Sequence, residues 1–359
     1  MRAPDLGITG LGLVLPCGDG EAPARAALAA GQPAFAELPP ALGAGWGAAC
    51  TAFNPAGIIP PMQLRRLDRP SRFAWGAAHQ AFQDAGLDPR ALGPRLALCV
   101  GTLTGGSEAG EAFMGPYLDR GPEGASPMVF PNTVANAASG HLALAFGIKG
   151  PSATFVDREN ATFAALEQAA RWLRLGRVDA ALVVGCDGLF PLLLEVCRGA
   201  RLLCRHGLPE AFGRTGFLPG EGAQAFVLER AADARIRGAR LRARLLGLAA
   251  RSAAVPDPAA RGRALAQAVA ALPGARPDHR VGGASGLGAL DTLEAALAAA
   301  HPDWPPAQHP KLLWGEFGGA GGALLAAALL HPGRALVTAP ASAGAQCAAV
   351  LETASLESP

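Results

Sequence analysis

The sequence predicts an α/β fold in which short buried strands alternate with amphipathic helices, and three stretches carry that expectation. Leu6 to Leu15, LGITGLGLVL, is an apolar run with the length of a buried strand, with Gly10 and Gly12 inside it. Arg66 to Asp88 sets Phe73, Ala77, Ala81 and Phe82 on one helical face and stops at Asp84-Ala-Gly-Leu, a glycine C-terminal signal. Gly150 to Gly176 joins both codes. Ala153 to Val156 reads as strand, and from Ala161 Phe163, Leu166, Ala170 and Leu173 recur at spacings of three and four, with Gly176 as the stop. Between them lies a polar elbow of Asp157, Arg158, Glu159 and Asn160. A side chain there sits beside a helix N-terminus, where free N–H groups and the positive dipole end favour an anion or an activated nucleophile. The plainer reading makes Asp157 or Asn160 an N-cap, with Glu159 merely favoured by the dipole.

Composition sets the outer bounds. At 359 residues, 50% hydrophobic and 17% charged, the chain can bury a large core without disulfide or metal staples. A net charge of +2 and the lack of any Lys/Arg-dense run exclude nucleic acid as the main partner, because neutralising phosphates takes a concentrated basic face. The seven cysteines (17, 50, 99, 186, 197, 204, 347) form no CxxC and no Cys/His ligand spacing. They read as reduced core thiols, with no metal and no cofactor implied. Leu6 to Leu15 is too short and too broken by glycine for a signal h-region or a membrane span, which leaves the cytoplasm as the default location.

The remaining elements follow in order. Arg95 to Thr102 is a strand followed by a Gly/Thr/Ser-rich loop through Gly110, and Val178 to Gly188 is a strand ending in a turn. Beyond Leu241, Ala243 to Leu248 reads as strand, Gly262 to Leu272 and Leu290 to Ala300 as helices, and Pro302 to Pro310 as loop. Lys311 to Trp314 then reads as strand, Gly318 to Leu330 as a glycine-rich helix, and Arg334 to Thr338 with Gln346 to Glu352 as a final hairpin.

Several of these stretches carry a family resemblance. Gly150-Pro151-Ser152, the short strand, the elbow and the helix holding Ala169-Ala170-Arg171 resemble the β-ketoacyl synthases of the thiolase fold. So do ITGLG near the N-terminus, the DAGLD helix end, FPNTVANAASGH from Phe130 to His141, and GFLPGEGAQAFVLE from Gly216 to Glu229. The resemblance runs from Ile8 to about Leu351. It implies two similar α/β halves, residues 1–240 and 241–359, with mixed five-stranded sheets in an α-β-α-β-α arrangement and one compact unit. A full-length synthase is somewhat longer, and the shortfall falls around Ala254 to Gly282. The family's acidic run before GFLPGEGA is reduced to Phe212, Gly213 and Arg214, which implies a remodelled loop near the pocket mouth.

Counting without gaps from both ends of the central motif puts the family's nucleophilic Cys on Glu159. Matching Asp291, Thr292 and Glu294 to the family's D-T-x-E puts Gly283 at one catalytic His. KLLWGEFGGAGG keeps Lys311 but has Glu316 at the other, and the gatekeeper loop GFGGxN is degraded to Ala341 through Gln346. On this resemblance no catalytic residue is expected, since a carboxylate cannot form the acyl thioester and Gly283 and Glu316 cannot supply imidazoles to an enolate.

What is kept belongs to the scaffold. The resemblance assigns Phe130, Asn132, Thr133, Val134, Asn136, His141, Ser152, Thr154, Val156 and Phe217 to the acyl tunnel and the dimer interface, with His141 structural rather than catalytic. A synthase-like chain without its Cys resembles a chain length factor, the subunit that pairs with an active β-ketoacyl synthase in type II polyketide and aryl polyene systems. The short chain and the loss of both His sites lean toward the aryl polyene type. Acyl carrier protein is then met through the partner. The rival readings are a malonyl-carrier-protein decarboxylase, whose family keeps both histidines, a hydrolase using Glu159 and Glu316 as a carboxylate pair, and a structural homodimer with a vestigial pocket.

Overall fold

Glycine decides how the first strand packs. In this computed structural model, which describes residues 5–353 except 206, 214, 254–256 and 275, strand β1 (Leu6–Leu15) is buried along its whole length. A Cβ on Gly10 or Gly12 would overlap the backbone of the helix above at Ala81 and Ala77, so only glycine lets that helix approach so closely. The helix is α2 (Arg69–Ala85), preceded in the chain by α1 (Glu21–Ala30). Asp68 caps α2 by accepting from the Ser71 N–H at 3.2 Å, and Gly86 closes it in the left-handed conformation.

The other strands on the path through the main sheet are β2 (Leu96–Thr102), β3 (Ser152–Val156), β4 (Ala180–Asp187), β5 (Gly222–Arg230), β6 (Ala243–Ser252), β7 (His279–Val281), β8 (Ala307–Gln308), β9 (Gly333–Ala339) and β10 (Ala345–Thr353). Among the described residues they lie in the order β8-β7-β9-β10-β6-β1-β5-β4-β2-β3. The order repeats: β1-β5-β4-β2-β3 and β6-β10-β9-β7-β8 have the same sequence of antiparallel and parallel neighbours. The two runs of five join where Leu6, Gly7 and Ile8 pair antiparallel with Leu245, Arg244 and Ala243.

Layering follows from which faces are apolar. Helices α2 and α4 (Ala137–Phe146) pack on one outer face, after the intervening α3 (Ser107–Arg120). Helix α5 (Ala161–Arg174) lies between the two runs of strands together with α10 (Ala320–Leu329), every residue of which is buried. Helix α6 (Pro191–Gly199) flanks the first half; α7 (Pro258–Ala270) and α8 (Gly288–Ala300) cover the opposite outer face, and α9 (Lys311–Trp314) leads toward α10. A helix enclosed on all sides must be small and apolar throughout, and AGGALLAAAL is.

Some sequence expectations are corrected. Lys311 to Trp314 is one turn of helix between Pro310 and Gly315, not a strand: Trp314 N–H donates to Pro310 O at 2.9 Å and Gly315 N–H to Lys311 O at 3.0 Å. The loop expected through Gly110 ends at Ser107, where α3 begins, and the expected loop from Pro302 to Pro310 holds the two-residue strand β8. Arg214 of the shortened loop lies outside the described residues, as does part of the 254–282 segment.

Candidate functional site

The elbow after β3 is a single turn of 3-10 helix, Arg158–Asn160, running straight into α5. Arg158 sits at φ 46°, a left-handed conformation that costs a non-glycine residue roughly 1–2 kcal/mol. Neither Asp157 nor Asn160 makes a side-chain cap, which corrects the N-cap expectation. Asn160 is fully buried, and its Nδ2 instead donates to Ala339 O at 3.0 Å and Ala345 O at 2.6 Å, tying the elbow to both inner ends of the β9–β10 hairpin. Half-buried Glu159 accepts from the Ser342 N–H and from Ser342 Oγ through Oε2, both at 3.2 Å. Arg158 and Arg261 also reach Ser342, donating to its Oγ and its carbonyl. The stretch from Ala341 to Gln346 is therefore fastened to the elbow through Ser342.

Glu316 and Lys311 form a buried pair. Nζ donates to Oε2 at 3.0 Å and lies 2.9 Å from Oε1, with the two side chains 1% and 7% exposed. Burial pushes the Glu316 carboxyl above its ordinary range, Lys311 opposes that shift, and the charge of Glu159 adds to it. The nearby Ser285 hydroxyl also favours the charged form of this carboxyl, so Glu159, Lys311, Ser285 and Glu316 share one electrostatic neighbourhood.

Gly283 opens the turn that carries Ser285. Its N–H donates to Glu294 Oε1 at 2.9 Å, and Glu294 also accepts from Thr338 Oγ1 at 2.7 Å. A Cβ on Gly283 would stand 2.6 Å from Pro340 Cδ, so the proline ring has taken the space a side chain would need. Asp291 holds the same turn by accepting from the Ser285, Gly286 and Phe212 N–H groups at 3.0, 3.3 and 2.8 Å. Beneath Glu294 the guanidinium of Arg280 is 3% exposed, 4.0 Å from that carboxylate and stacked 5.4 Å over Trp304; burial lowers its pKa.

The sequence reading gave Asp187 only as the end of a strand, yet it is a hub. Its carboxylate accepts from Thr102 Oγ1, Thr104 N and Thr104 Oγ1 at 2.7 Å, from Leu103 N at 3.0 Å and from Gly319 N at 2.6 Å. It thus joins the end of β2 to the entrance of α10. Burial raises its pKa and these donors work against the rise.

The remaining candidates other than Phe217 lie on β3, at the start of α4 and in the segment before it. β3 pairs only with β2, so the hydrogen-bonding groups of its other edge have no strand partner among the described residues, and Ser152 and Val156 are exposed. Phe130 is 61% exposed and lies against Phe113, with Val134 and Leu144 exposed nearby in the chain. Asn136 is exposed, Thr133 and Thr154 half-buried, and Ser139 Oγ meets Ser152 Oγ at 2.7 Å. His141 Nε2 lies 2.7 Å from Asn132 Oδ1, while Asn132 Nδ2 donates to Arg66 O at 2.7 Å; burial lowers the His141 pKa. Phe217 belongs elsewhere, buried in a strip whose backbone bonds to Leu202 and Cys204.

Comparison with known proteins adds four findings. The model of the N-terminal domain of β-ketoacyl synthases matches residues 4–234. The tetracenomycin polyketide synthase ketoacyl synthase beta subunit of Streptomyces glaucescens is 32% identical over 344 residues, 90% of this chain and 84% of that one. Among solved structures, the ishigamide ketosynthase/chain length factor superposes with a TM-score of 0.86 at 23% identity, covering 99% of this chain and 100% of the other. A type II PKS acyl-carrier protein in complex with its ketosynthase gives 0.85 at 19% identity over 99% and 100%. These likenesses give the thiolase-like α/β fold that the motifs predicted. No helix among the described residues is long and apolar enough to cross a membrane.

Proposed function

Since the chain belongs to the β-ketoacyl synthase family, we propose that it is the non-catalytic partner of an active β-ketoacyl synthase, a chain length factor that shapes the acyl tunnel of the pair. The observation that carries this reading is the pairing of an unpartnered strand edge with a disarmed elbow. At the elbow stands Glu159, a carboxylate bonded to Ser342, and Glu316 is held by Lys311. Neither is a thiol or an imidazole, so thioester formation and enolate stabilisation lack their groups. The edge of β3, flanked by exposed Phe130, Val134 and Val156, offers the main-chain groups and apolar area that an obligate interface buries.

On this reading β3 pairs antiparallel with its counterpart in the synthase, and Thr133 and Val134 border the partner's tunnel. Acyl carrier protein reaches the pair through the catalytic subunit, and no cofactor is needed. The names of two of these relatives, a polyketide synthase subunit and a type II PKS complex, favour a polyketide product over the aryl polyene toward which the sequence leans. Co-expression with a synthase that keeps its Cys, followed by size exclusion and product analysis, tests the proposal. The expected result is a tight heterodimer that makes a product of defined length, while this subunit alone takes up no acyl group from carrier protein and releases no carbon dioxide from malonyl-carrier protein. A homodimer that ignores the synthase, or an acyl adduct in the intact mass of this subunit, overturns it.

A further inference from the structure

Away from the elbow, a cleft of about 960 Å³ opens between α6, the residues Leu203 to Arg205, Gly207, Leu208 and Leu218, and a small hairpin whose strands are Ala36–Glu37 and Trp46–Gly47. That volume lies at the upper end of the roughly 300–1,000 Å³ typical of ligand sites. Its walls are apolar, with Phe35 and Trp46 on one side, Leu194 of α6 on another, and Leu203 and Leu218 toward the base. Among the described residues no carboxylate, amide or hydroxyl side chain lines it, whereas two guanidinium groups do, those of Arg198 and Arg205. Arg198 is already engaged, donating to Ala44 O at 2.7 Å and pairing with Glu195. Arg205 is exposed and has no ion-pair partner among the described residues. Trp46 is 57% exposed, a large apolar surface left in water at the cleft wall.

We propose that this cleft is a binding site for a long-chain acyl anion, with the hydrocarbon lying along the leucine and aromatic walls and the anionic end on Arg205. Apart from the guanidinium groups, the Cys204 thiol and the Trp46 indole N–H, the described lining side chains carry no polar group to read a sugar or a nucleobase. A hydrocarbon tail gains from apolar burial alone, and the unpaired cation selects a negative head group. The shared chemistry fits a free carboxylate and a phosphate-ended chain alike. The inference does not depend on the chain-length role, because the cleft is lined by none of the residues assigned to the synthase-facing surface.

Trp46 supplies the readout. The subunit, purified with whatever synthase accompanies it, is titrated with dodecanoate, dodecyl phosphate and dodecanol while tryptophan fluorescence and calorimetric heat are followed. Both anions are expected to bind saturably and to change the fluorescence, with dodecanol about tenfold weaker or more. Trp46→Phe should remove the fluorescence change and leave the heat. Arg205→Glu, at an exposed position where folding is not at stake, should cost the anions about tenfold and leave dodecanol unaffected. The weighting of dodecanoate against dodecyl phosphate identifies the head group. Absence of saturable binding by any probe, equal binding of alcohol and anions, or indifference to Arg205→Glu overturns the proposal. Because heterodimer formation is scored separately, failure here leaves the chain-length reading standing, and the reverse also holds.

Discussion

Replacing Lys311 with methionine removes the cation from a site where its carboxylate partner cannot reach water. Lys311 and Glu316 are 2% and 8% exposed as whole residues, and their charged atoms meet at 2.9–3.0 Å. Breaking a buried pair from one side costs about 3–5 kcal/mol because a charge is left without compensation, whereas replacing both partners with apolar groups is close to neutral. At roughly 2–4 °C per kcal/mol for a large domain, Lys311→Met should lower Tm by on the order of 10 °C. Lys311→Met/Glu316→Leu should recover most of that loss. The pH dependence follows from the direction of the shift. Burial already raises the folded-state carboxyl above its unfolded value, and removing Lys311, the chief opposing influence, raises it further. The folded variant then binds the proton more tightly than the unfolded chain, so stability falls as pH rises from the ordinary carboxylate range toward the raised value. The deficit of the single variant should therefore be small near pH 4.5 and full near pH 8. Urea melts of the three proteins at both pH values, at fixed protein concentration, decide the matter. A loss under about 1 kcal/mol at pH 8, a double variant worse than the single one, or a deficit indifferent to acid would refute the reasoning.

Other substitutions probe the remaining parts. Glu159→Cys should yield no measurable condensation in the absence of the synthase partner, since nucleophile and enolate stabilisers act as one unit; product analysis after incubation with acyl- and malonyl-carrier protein checks it. Gly283→His should destabilise by about 1–3 kcal/mol in thermal melts, because its Cβ meets Pro340 Cδ at 2.6 Å, and should restore no activity. Glu108 is pushed up to about 7, chiefly by burial and then by the charge of Asp68, from an ordinary 4.5. Stability should thus decline between pH 4.5 and 7 with a slope of at most about 1.4 kcal/mol per pH unit from this group, and Glu108→Gln should flatten it. Val134→Phe or Thr133→Phe should shorten the product of the co-expressed pair, read by mass spectrometry, with turnover retained.

Much of the fold was legible because its central elements speak strongly in local code. The runs behind β1 and β4 are too apolar to lie anywhere but inside, and α2 and α5 have clear buried faces bounded by Gly86 and Gly176. What was missed has physical causes. Helix α1 holds Pro23 and α3 holds Pro116 with Gly110 and Gly115, so neither looks helical by propensity. Strand β7 is His-Arg-Val, too short and polar to stand out, and Lys311–Trp314 has too few residues to display a period. The site was harder still. Glu159 and Ser342 are 183 positions apart, and Asp187 reaches Gly319 across 132, so no local pattern could have joined them.

On the proposed reading, the polar groups around the elbow explain why a scaffold can outlast a reaction. Asp187, Asp291, Glu294 and Asn160 each accept or donate hydrogen bonds that fasten main-chain turns, and each is buried. Removing such a group strands its partners inside the protein at about 1–3 kcal/mol per unsatisfied atom, whether or not any chemistry occurs nearby. Folding by itself is therefore reason enough to hold Asp291 and Glu294 in the D-T-x-E match. Gly283 is under no such constraint, because its only hydrogen bond to Glu294 comes from the main chain. The position where the resemblance places a catalytic His could thus be emptied and closed over by Pro340 while the turn around it stayed in place.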